Sequence, residues 1–453
     1  PRRRARDEGT TVTDAANRTA RIVATLSLAL VMAGGGLSAP TMAQAVGAGS
    51  TASAPDLVGR TAATSVTKKT TIVRQPANLS IGRYGTRTKG TFTVVASGLK
   101  LSYKWQRRLP SGSSWKTISG ARSRSYTARA STWASGTRFR VIVSGTGGKV
   151  TSRAAKLTVL KPTKTPAKDA EKAFGLTGLT QGVDLSAYQY VPGARINMDK
   201  VIGWVGADGF TILRNGSGAR PIKQAYTDAC TNQARKTGST PVVEDCAYAK
   251  FADRASAAGI SLGHYWFNGW ISTIDTTSKQ LFAGGFTPEA SAATFVKWLK
   301  ADGHYTKKST DPLVLDVEAG HAWTKTSGGK KYTVSLRAWR PAEVTAFLTE
   351  VKSLLGAEGY QANLYVYMSA NAASKQVAGA YVWADVAPLA RLWVASWGTD
   401  NGRIPTSQPK VGPWADQGGW SLWQYTSNAR ISGDGVGALD GDIATADAWT
   451  PKA

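Results

Sequence analysis

The sequence predicts an α/β protein in which an irregular β/α barrel follows a smaller all-β domain. From about residue 176 onward, short apolar runs alternate with amphipathic helical patterns, and eight such runs are enough to close a barrel. Between residues 67 and 160, alternating runs are separated by Gly- and Ser-rich turns without helical patterns, which is typical of a β-sandwich. A chain of 453 residues accommodates both domains.

The first 45 residues have the layout of a secretory signal peptide. Six arginines precede an apolar run from Ile22 to Met32, which is followed by three glycines and the small-residue pattern Ala43-Gln44-Ala45. The run is shorter than the roughly 18–20 apolar residues that a membrane-spanning helix needs. We therefore expect residues 1–45 to be removed on export, leaving a secreted protein without stable membrane insertion. Acidic residues among the arginines are unusual there, and a later start codon would account for them.

The all-β domain at residues 67–160 is flanked by two predicted linkers, at 46–66 and 161–175. The order of Trp105, Trp115, Tyr126 and Phe139 resembles that of bacterial immunoglobulin-like domains, with Trp105 at the centre of the core. No cysteine pair accompanies these residues, so packing alone must hold the domain together. Its predicted strands are Thr91–Ala96, Leu101–Gln106, Ser125–Ala128, Thr137–Ser144 and Ala154–Leu160.

The positive charge of the chain is concentrated around this domain. The whole chain has 56 Lys and Arg against 29 Asp and Glu, and residues 46–170 alone hold 23 basic and 2 acidic residues. Outside a cell, such a field is expected to attract anionic cell-wall polymers. Nucleic acid is not expected as a partner, because the region has no recognition-helix pattern. A spacer whose charge keeps it soluble is the alternative.

Eight apolar runs predict the strands of the barrel, and helical spacing marks Glu289–Ala301 and Pro341–Leu355 between them. Barrel enzymes place their functional side chains at the carboxyl ends of the strands, so polar residues there are the candidate site. The predicted strands are Gly182–Leu185, Phe210–Arg214, Ser261–Phe267, Leu313–Glu318, Asn363–Ser369, Leu392–Trp397, Ser421–Tyr425 and Leu439–Ile443.

Four carboxylates are predicted to meet at the mouth of this barrel. Asp316 and Glu318 end the fourth strand two residues apart, so both should face one cavity. Burial and mutual repulsion should raise the pKa of one of them, as a general acid requires. Asp184 ends the first strand and Asp440 lies in the last strand, and these strands are neighbours in a closed barrel.

Several motifs, in their order along the chain, resemble those of glycoside hydrolase family 25, the Chalaropsis-type lysozymes. They include Gly182-Val183-Asp184-Leu185-Ser186, Leu315-Asp316-Val317-Glu318 and Leu422-Trp423-Gln424-Tyr425-Thr426, and the similarity spans roughly residues 178–447. The resemblance implies a TIM-like barrel that cleaves the β-1,4 bond between N-acetylmuramic acid and N-acetylglucosamine in bacterial peptidoglycan.

The resemblance also implies a role for each acid. Glu318 corresponds to the catalytic acid/base, and Asp184, Asp316 and Asp440 are the supporting carboxylates, with Asp442 as the alternative to Asp440. Either the acetamido group of the substrate or a protein carboxylate attacks the anomeric carbon, and the sequence leaves both open. No metal or organic cofactor is implied.

Aromatic and basic residues beside the acids are candidates for substrate binding. Sugar rings stack on aromatic faces, although large aromatic residues are also common in cores. Arg214 ends the second predicted strand, where it could brace a carboxylate or form a surface ion pair. The aromatic candidates are Tyr265, Trp397, Trp423 and Tyr188.

Other chemistries find less support in the sequence. In an exported protein, Cys230 and Cys246 are expected to form a disulfide rather than to act as nucleophiles. The three histidines lack metal-binding spacing: His264 lies in an apolar strand, and His321 is expected in a solvated loop near the cleft. The alternative function is a non-catalytic, carbohydrate-binding or adhesive wall protein, which the intact acids disfavour. A monomer is the default expectation.

Overall fold

The computed structural model describes residues 68–186, 189, 196–217, 247–268, 271–275, 281–283, 287–301, 303–319 and 323–451. The predicted signal peptide, the linker at 46–66, Tyr188, His321 and both cysteines lie outside the described residues. No helix within the described ranges is both long enough and apolar enough to cross a bilayer.

The first part of the described chain is an all-β domain of ten strands. The strands are β1 Thr71–Arg74, β2 Leu79–Gly82, β3 Lys89–Thr93, β4 Val95–Ser97, β5 Ser102–Arg108, β6 Lys116–Thr117, β7 Ser125–Arg129, β8 Arg138–Gly145, β9 Gly148–Thr151 and β10 Ala155–Leu160. The five runs predicted from the sequence overlap six of these strands, because the run Thr91–Ala96 is divided between β3 and β4, which pair with different strands. The short strands β1, β2, β6 and β9 were not predicted.

These strands form a larger sheet and two strand pairs around a tryptophan. The larger sheet has the order β2-β10-β8-β5-β6, with β9 also paired to β8, and β3 pairs with β7 while β1 pairs with β4. Trp105 is fully buried and its Nε1 donates to the carbonyl of Ser123 at 2.9 Å. Phe92 of β3 stacks on Phe139 of β8 at 4.8 Å between ring centroids, so side chains from the two layers meet in one core.

The remaining strands build the barrel and the hairpins attached to it. They are β11 Thr180–Leu185, β12 Phe210–Ser217, β13 Ser261–Phe267, β14 Ile271–Asp275, β15 Leu281–Ala283, β16 Pro312–Asp316, β17 Trp323–Ser327, β18 Lys330–Leu336, β19 Asn363–Ser369, β20 Gln376–Val377, β21 Ala380–Tyr381, β22 Arg391–Ala395, β23 Leu422–Ala429 and β24 Leu439–Ala444.

Within the described residues, six α-helices accompany these strands. They are α1 Pro166–Phe174, α2 Met198–Val205, α3 Tyr248–Ala257, α4 Pro288–Ala301, α5 Pro341–Ala357 and α6 Ala370–Ala373. A 3-10 helix, Gly412–Gln417, lies between β22 and β23.

The barrel is closed in the order β11-β12-β13-β16-β19-β22-β23-β24, and each predicted strand overlaps one of these eight. Neighbouring strands are parallel up to β23, whereas β24 runs antiparallel to both β23 and β11. The start of β24 therefore lies at the end of the barrel where the other strands finish. β16 ends at Asp316, so Glu318 lies just beyond the strand rather than within it.

Residues alternate between the inside of the barrel and its surrounding helices. In β16, Val314 belongs to the interior cluster, whereas Leu313 and Leu315 pack with the outer layer. The face of α5 predicted from the sequence is buried against this outer side, with Val344, Phe347, Leu348, Val351 and Leu355 in the core.

The linker predicted at 161–175 is wrong for most of its length, because residues 166–174 form helix α1. Pro166 occupies the first turn of α1 and Gly175, at φ 69°, ends it. Ala167 and Ala170 are buried in the outer core of the barrel. Alanines supply a face small enough for this close packing, a signal that the Lys- and Pro-rich composition obscured.

A four-stranded antiparallel sheet, in the order β15-β14-β18-β17, was not predicted from the sequence. Its strands lie in the connections that follow β13 and β16. The connection that follows β16 thus contributes the hairpin of β17 and β18.

Candidate active site

The four acids predicted from the sequence meet at one end of the barrel. Asp184 in β11 lies directly opposite Asp440 in β24 in the antiparallel pairing. Asp316 is the last residue of β16, and Glu318 follows two residues later. Electrostatic interactions link Glu318 to Asp184 and Asp316, and link Asp440 to Asp184 and Glu318.

Asn268 holds the turn that carries Glu318. Its backbone N–H donates to the carbonyl of Asp316 at 3.0 Å, and its Nδ2 donates to the carbonyl of Glu318 at 2.7 Å. Its Oδ1 accepts from the backbone N–H of Trp339 at 3.0 Å. The side chain is fully buried, so these bonds form away from competing water. Asn268 was not predicted from the sequence, and only its place directly after β13 marks it.

Burial raises the pKa of each acid, and repulsion by neighbouring carboxylates adds to the effect at Asp316, Glu318 and Asp440. Burial, followed by the charge of Asp184, raises the pKa of Glu318 to about 7. Burial also raises the pKa of Asp184 to about 6, against the opposing effect of a hydrogen bond from Gln424. The pKa of Asp316 is well above its usual range because it is buried and faces Glu318. The Glu318 side chain nevertheless reaches solvent, so a substrate can reach it.

Gln424 is the central residue that sequence reasoning missed. Its Nε2 donates to Asp184 Oδ2 at 2.8 Å. Its Oε1 accepts from Tyr367 Oη and from Trp397 Nε1, each at 2.9 Å. Because alternate residues of β23 face inward, Gln424 and not its neighbour Trp423 points into the barrel. The strand alternation was the signal that could have found it.

The two acids of β24 occupy different depths. Asp440 pairs with Asp184, whereas Asp442 pairs with Gly182, one step further from the mouth. Asp442 is fully buried, accepts from Trp393 Nε1 at 2.9 Å and hydrogen-bonds Asp184. Asp440 is thus the member of the pair at the mouth, and Asp442 supports Asp184 from below.

The aromatic candidates divide into two groups. Tyr265 lies in the barrel interior beside Trp393, with ring centroids 6.1 Å apart, and Trp397 is half-buried on the loop after β22. Trp423 does not fit the prediction of a sugar-stacking residue, because it is fully buried outside the barrel and donates to the carbonyl of Ser396. Tyr188 lies outside the described residues.

Arg214 lies within β12, three residues before the end of that strand at Ser217. Its positive charge lowers the pKa of Asp316 and partly offsets burial there. Of the two roles considered for Arg214, this interaction agrees with bracing a carboxylate.

His264 forms contacts within the core of the protein rather than in the group of acids. His264 is fully buried, and its ring nitrogens contact Tyr248 Oη at 2.8 Å and Asp311 Oδ2 at 3.2 Å, as predicted for a core histidine. Within the described ranges, no group of three or more His, Cys, Asp or Glu is arranged to hold a metal ion.

Comparison with known proteins gives a family match for the barrel. Residues 234–434 match the family described as glycosyl hydrolases family 25. This range includes Asp316 and Glu318 but not Asp184 or Asp440, and is shorter than the range expected from the motifs.

The individual proteins that match are similar to this chain only over a short stretch or at low sequence identity. Endoglucanase C of Cellulomonas fimi is 34% identical over 89 residues, which make up 19% of this chain and 8% of that protein. A bacterial lysozyme structure from Streptomyces coelicolor is 18% identical, with a TM-score of 0.33, and the match covers 58% of this chain and 90% of that one. A family GH25 lysozyme from Aspergillus fumigatus is 16% identical, with a TM-score of 0.33, and the match covers 59% of this chain and 94% of that one.

Proposed function

We propose that this chain, which carries a glycoside hydrolase family 25 domain, is a secreted peptidoglycan hydrolase. It cleaves the β-1,4 bond between N-acetylmuramic acid and N-acetylglucosamine. The observation that carries the proposal is Glu318, a solvent-accessible residue whose carboxyl pKa is raised to about 7 beside the buried Asp184 and Asp316 and the half-buried Asp440.

Glu318 acts as the general acid and then as the general base. With its pKa near 7, Glu318 keeps a proton at neutral pH and donates it to the leaving glycosidic oxygen. The resulting carboxylate then removes a proton from the attacking water. Asn268 holds the backbone of Glu318 and so limits where the carboxyl can reach.

The aspartates stabilise the positive charge that develops on the sugar. Protonation of Glu318 removes the repulsion that helps to keep Asp316 neutral, so Asp316 ionises more readily in the state that is ready to react. Its carboxylate then faces the anomeric centre or the acetamido group that attacks it. Asp184 and Asp440 line the opposite side of the mouth.

The all-β domain is proposed to be immunoglobulin-like and to assist attachment to the wall. Residues 68–160 contain 19 Lys and Arg and no Asp or Glu, so no carboxylate within the domain neutralises its field. Anionic wall polymers are the proposed partner. A purely wall-binding protein is less favoured, because it would have no need for an acid poised near neutral pH.

The test is mass spectrometry of the fragments released from purified peptidoglycan after reduction. The wild-type protein is expected to create reducing ends on muramic acid, and Glu318→Gln, which preserves the shape of the side chain, should create none. A wild-type protein that sediments with walls but releases no fragments would refute the enzyme and leave the wall-binding protein.

A further inference from the structure

The all-β domain contacts a loop at the mouth of the barrel. The turn between β2 and β3 meets residues 396–403, the loop that follows β22. Thr86 donates from both its backbone N–H and its Oγ1 to the carbonyl of Thr399, each at 3.2 Å. The guanidinium of Arg430, just after β23, lies 4.2 Å from the centre of the Tyr84 ring. Contacts between the two domains therefore reach the ends of two barrel strands.

Two glycines allow this approach. A Cβ atom on Gly85, whose φ is 83°, would lie 2.1 Å from the carbonyl oxygen of Asp400 and 2.4 Å from that of Thr399. A Cβ atom on Gly82 would lie 2.9 Å from Cβ of Asn401. The turn thus fits the loop so closely that a side chain at either position would force the two apart.

Residues 161–163, directly after β10, also hydrogen-bond to this loop. The backbone N–H of Thr163 donates to the carbonyl of Gly402 at 2.8 Å, and Arg403 Nη1 donates to the carbonyl of Lys161 at 3.2 Å. Because the turn between β2 and β3 and the chain directly after β10 both hold residues 399–403, the loop has little freedom to move independently of the all-β domain.

Hydrogen bonds connect the loop at residues 396–403 to the acids of the barrel. Asp400 is buried at φ 47° and accepts hydrogen bonds from Thr426 Oγ1, Ser427 N and Oγ, and Asn428 Nδ2, each at 2.8 Å. The backbone N–H of Asp400 donates to the carbonyl of Trp397, also at 2.8 Å. Trp397 bonds to Gln424, which in turn donates to Asp184. A continuous series of contacts therefore runs from the all-β domain to a carboxylate of the site.

We propose that the all-β domain holds the loop at residues 396–403 and thereby positions Trp397 and Gln424, so that it is needed for turnover even of glycan that carries no anionic polymer. This inference rests on the proposed hydrolase function. It differs from wall attachment because it concerns the reaction itself and not the concentration of enzyme at the wall.

Gly85→Ala is the central test, with Gly120→Ala as its matched control. Both glycines belong to the all-β domain and have positive φ, at 83° and 74°, but nothing lies within 4 Å of a Cβ on Gly120. The substrate is soluble glycan strands freed of peptide stems and anionic polymers. We expect Gly85→Ala to lose at least about tenfold in kcat/KM and Gly120→Ala to stay within about twofold of wild type.

The pH profile separates positioning from general damage. Asp184 faces Gln424 together with Asp316, Glu318, Asp440 and Asp442, and the bond from Gln424 favours its ionised form. Disturbing that bond raises the pKa of Asp184, so the acid limb of kcat/KM should move to higher pH in Gly85→Ala and stay in place in the control Gly120→Ala. Tyr84→Ala, which removes the ring under Arg430 without backbone strain, should show the same change to a smaller extent.

Folded Gly85→Ala and Tyr84→Ala proteins with wild-type kcat/KM and an unchanged acid limb would overturn this inference. If Gly85→Ala does not fold, Tyr84→Ala decides by the same two measurements. Wild-type protein that releases no reducing ends would instead overturn the proposed hydrolase, so the two failures are distinguishable.

Discussion

At the scale of residues, the site depends on neighbouring carboxyl groups that are too poorly hydrated to carry their negative charges all at once. The surrounding protein displaces much of the water around Asp184 and Glu318, which raises the pKa of both carboxyls, and the charge of Asp184 adds to the effect on Glu318. An acid and a base can then coexist near neutral pH in a single group of carboxyls. The exposed position of Glu318 supports the proposal that it, and not Asp316, protonates the leaving oxygen.

These values predict a bell-shaped dependence of kcat/KM on pH. Activity should fall as the pH drops through about 6, where Asp184 gains a proton, and as it rises through about 7, where Glu318 loses one. Initial rates on soluble glycan strands measure this profile, and Asp416→Asn at an exposed position is the control. An alkaline limb near the ordinary pKa of glutamate would contradict this assignment.

Residue types and strand positions were enough to predict that Asp184, Asp316, Glu318 and Asp440 meet. They were not enough to separate Asp440 from Asp442, because both face inward and only the register with β11 places Asp440 at the mouth. The bonds of Asn268 were equally beyond reach, since they join residues about 50 to 70 positions apart.

At the scale of elements, β23 explains why one aromatic prediction failed. Its alternation places Leu422 and Gln424 inside the barrel and Trp423 and Tyr425 in the outer core. A strand whose outer face is covered by helices can carry tryptophans on that face, so composition could not tell the two sides apart. All eight barrel strands were predicted because each is a run of apolar residues, whereas helix α1 was missed because its buried face consists of alanines.

Two tryptophan variants test this division. Trp423→Ala should lower the free energy of unfolding by about 3–5 kcal/mol, because it leaves a cavity in a fully packed core. Trp397→Ala should raise KM with a smaller effect on unfolding, because this side chain is half-buried and bonds to Gln424. Denaturant unfolding and steady-state kinetics on glycan strands measure both effects. The reverse pattern would place Trp423, not Trp397, in the site.

At the scale of the whole molecule, the excess of basic residues and the group of acids lie in different domains. The basic residues surround a core that contains no carboxylate, while the acids of the barrel face one another at its mouth. The proposed attraction to an anionic wall therefore does not depend on cations in the site, where Arg214 is the residue whose positive charge acts on Asp316.

Wall binding should weaken steeply with ionic strength. Raising salt to about 1 M shortens the Debye length to about 3 Å, so the field of the all-β domain is screened. Sedimentation of Glu318→Gln with purified walls measures binding without digestion, and walls stripped of phosphodiester polymers are the control. Binding that is equally strong on stripped walls at high salt would show that the charge is not responsible.

The antiparallel pairing of β24 with β11 has a consequence for when the site can exist. Asp184 and Asp440 face each other across a single register position, yet most of the barrel lies between them in the chain. Contacts between such distant segments form late, because a long loop must close first. A growing chain therefore lacks one side of the mouth until its last strand joins, and the group of four acids is complete only in the finished barrel.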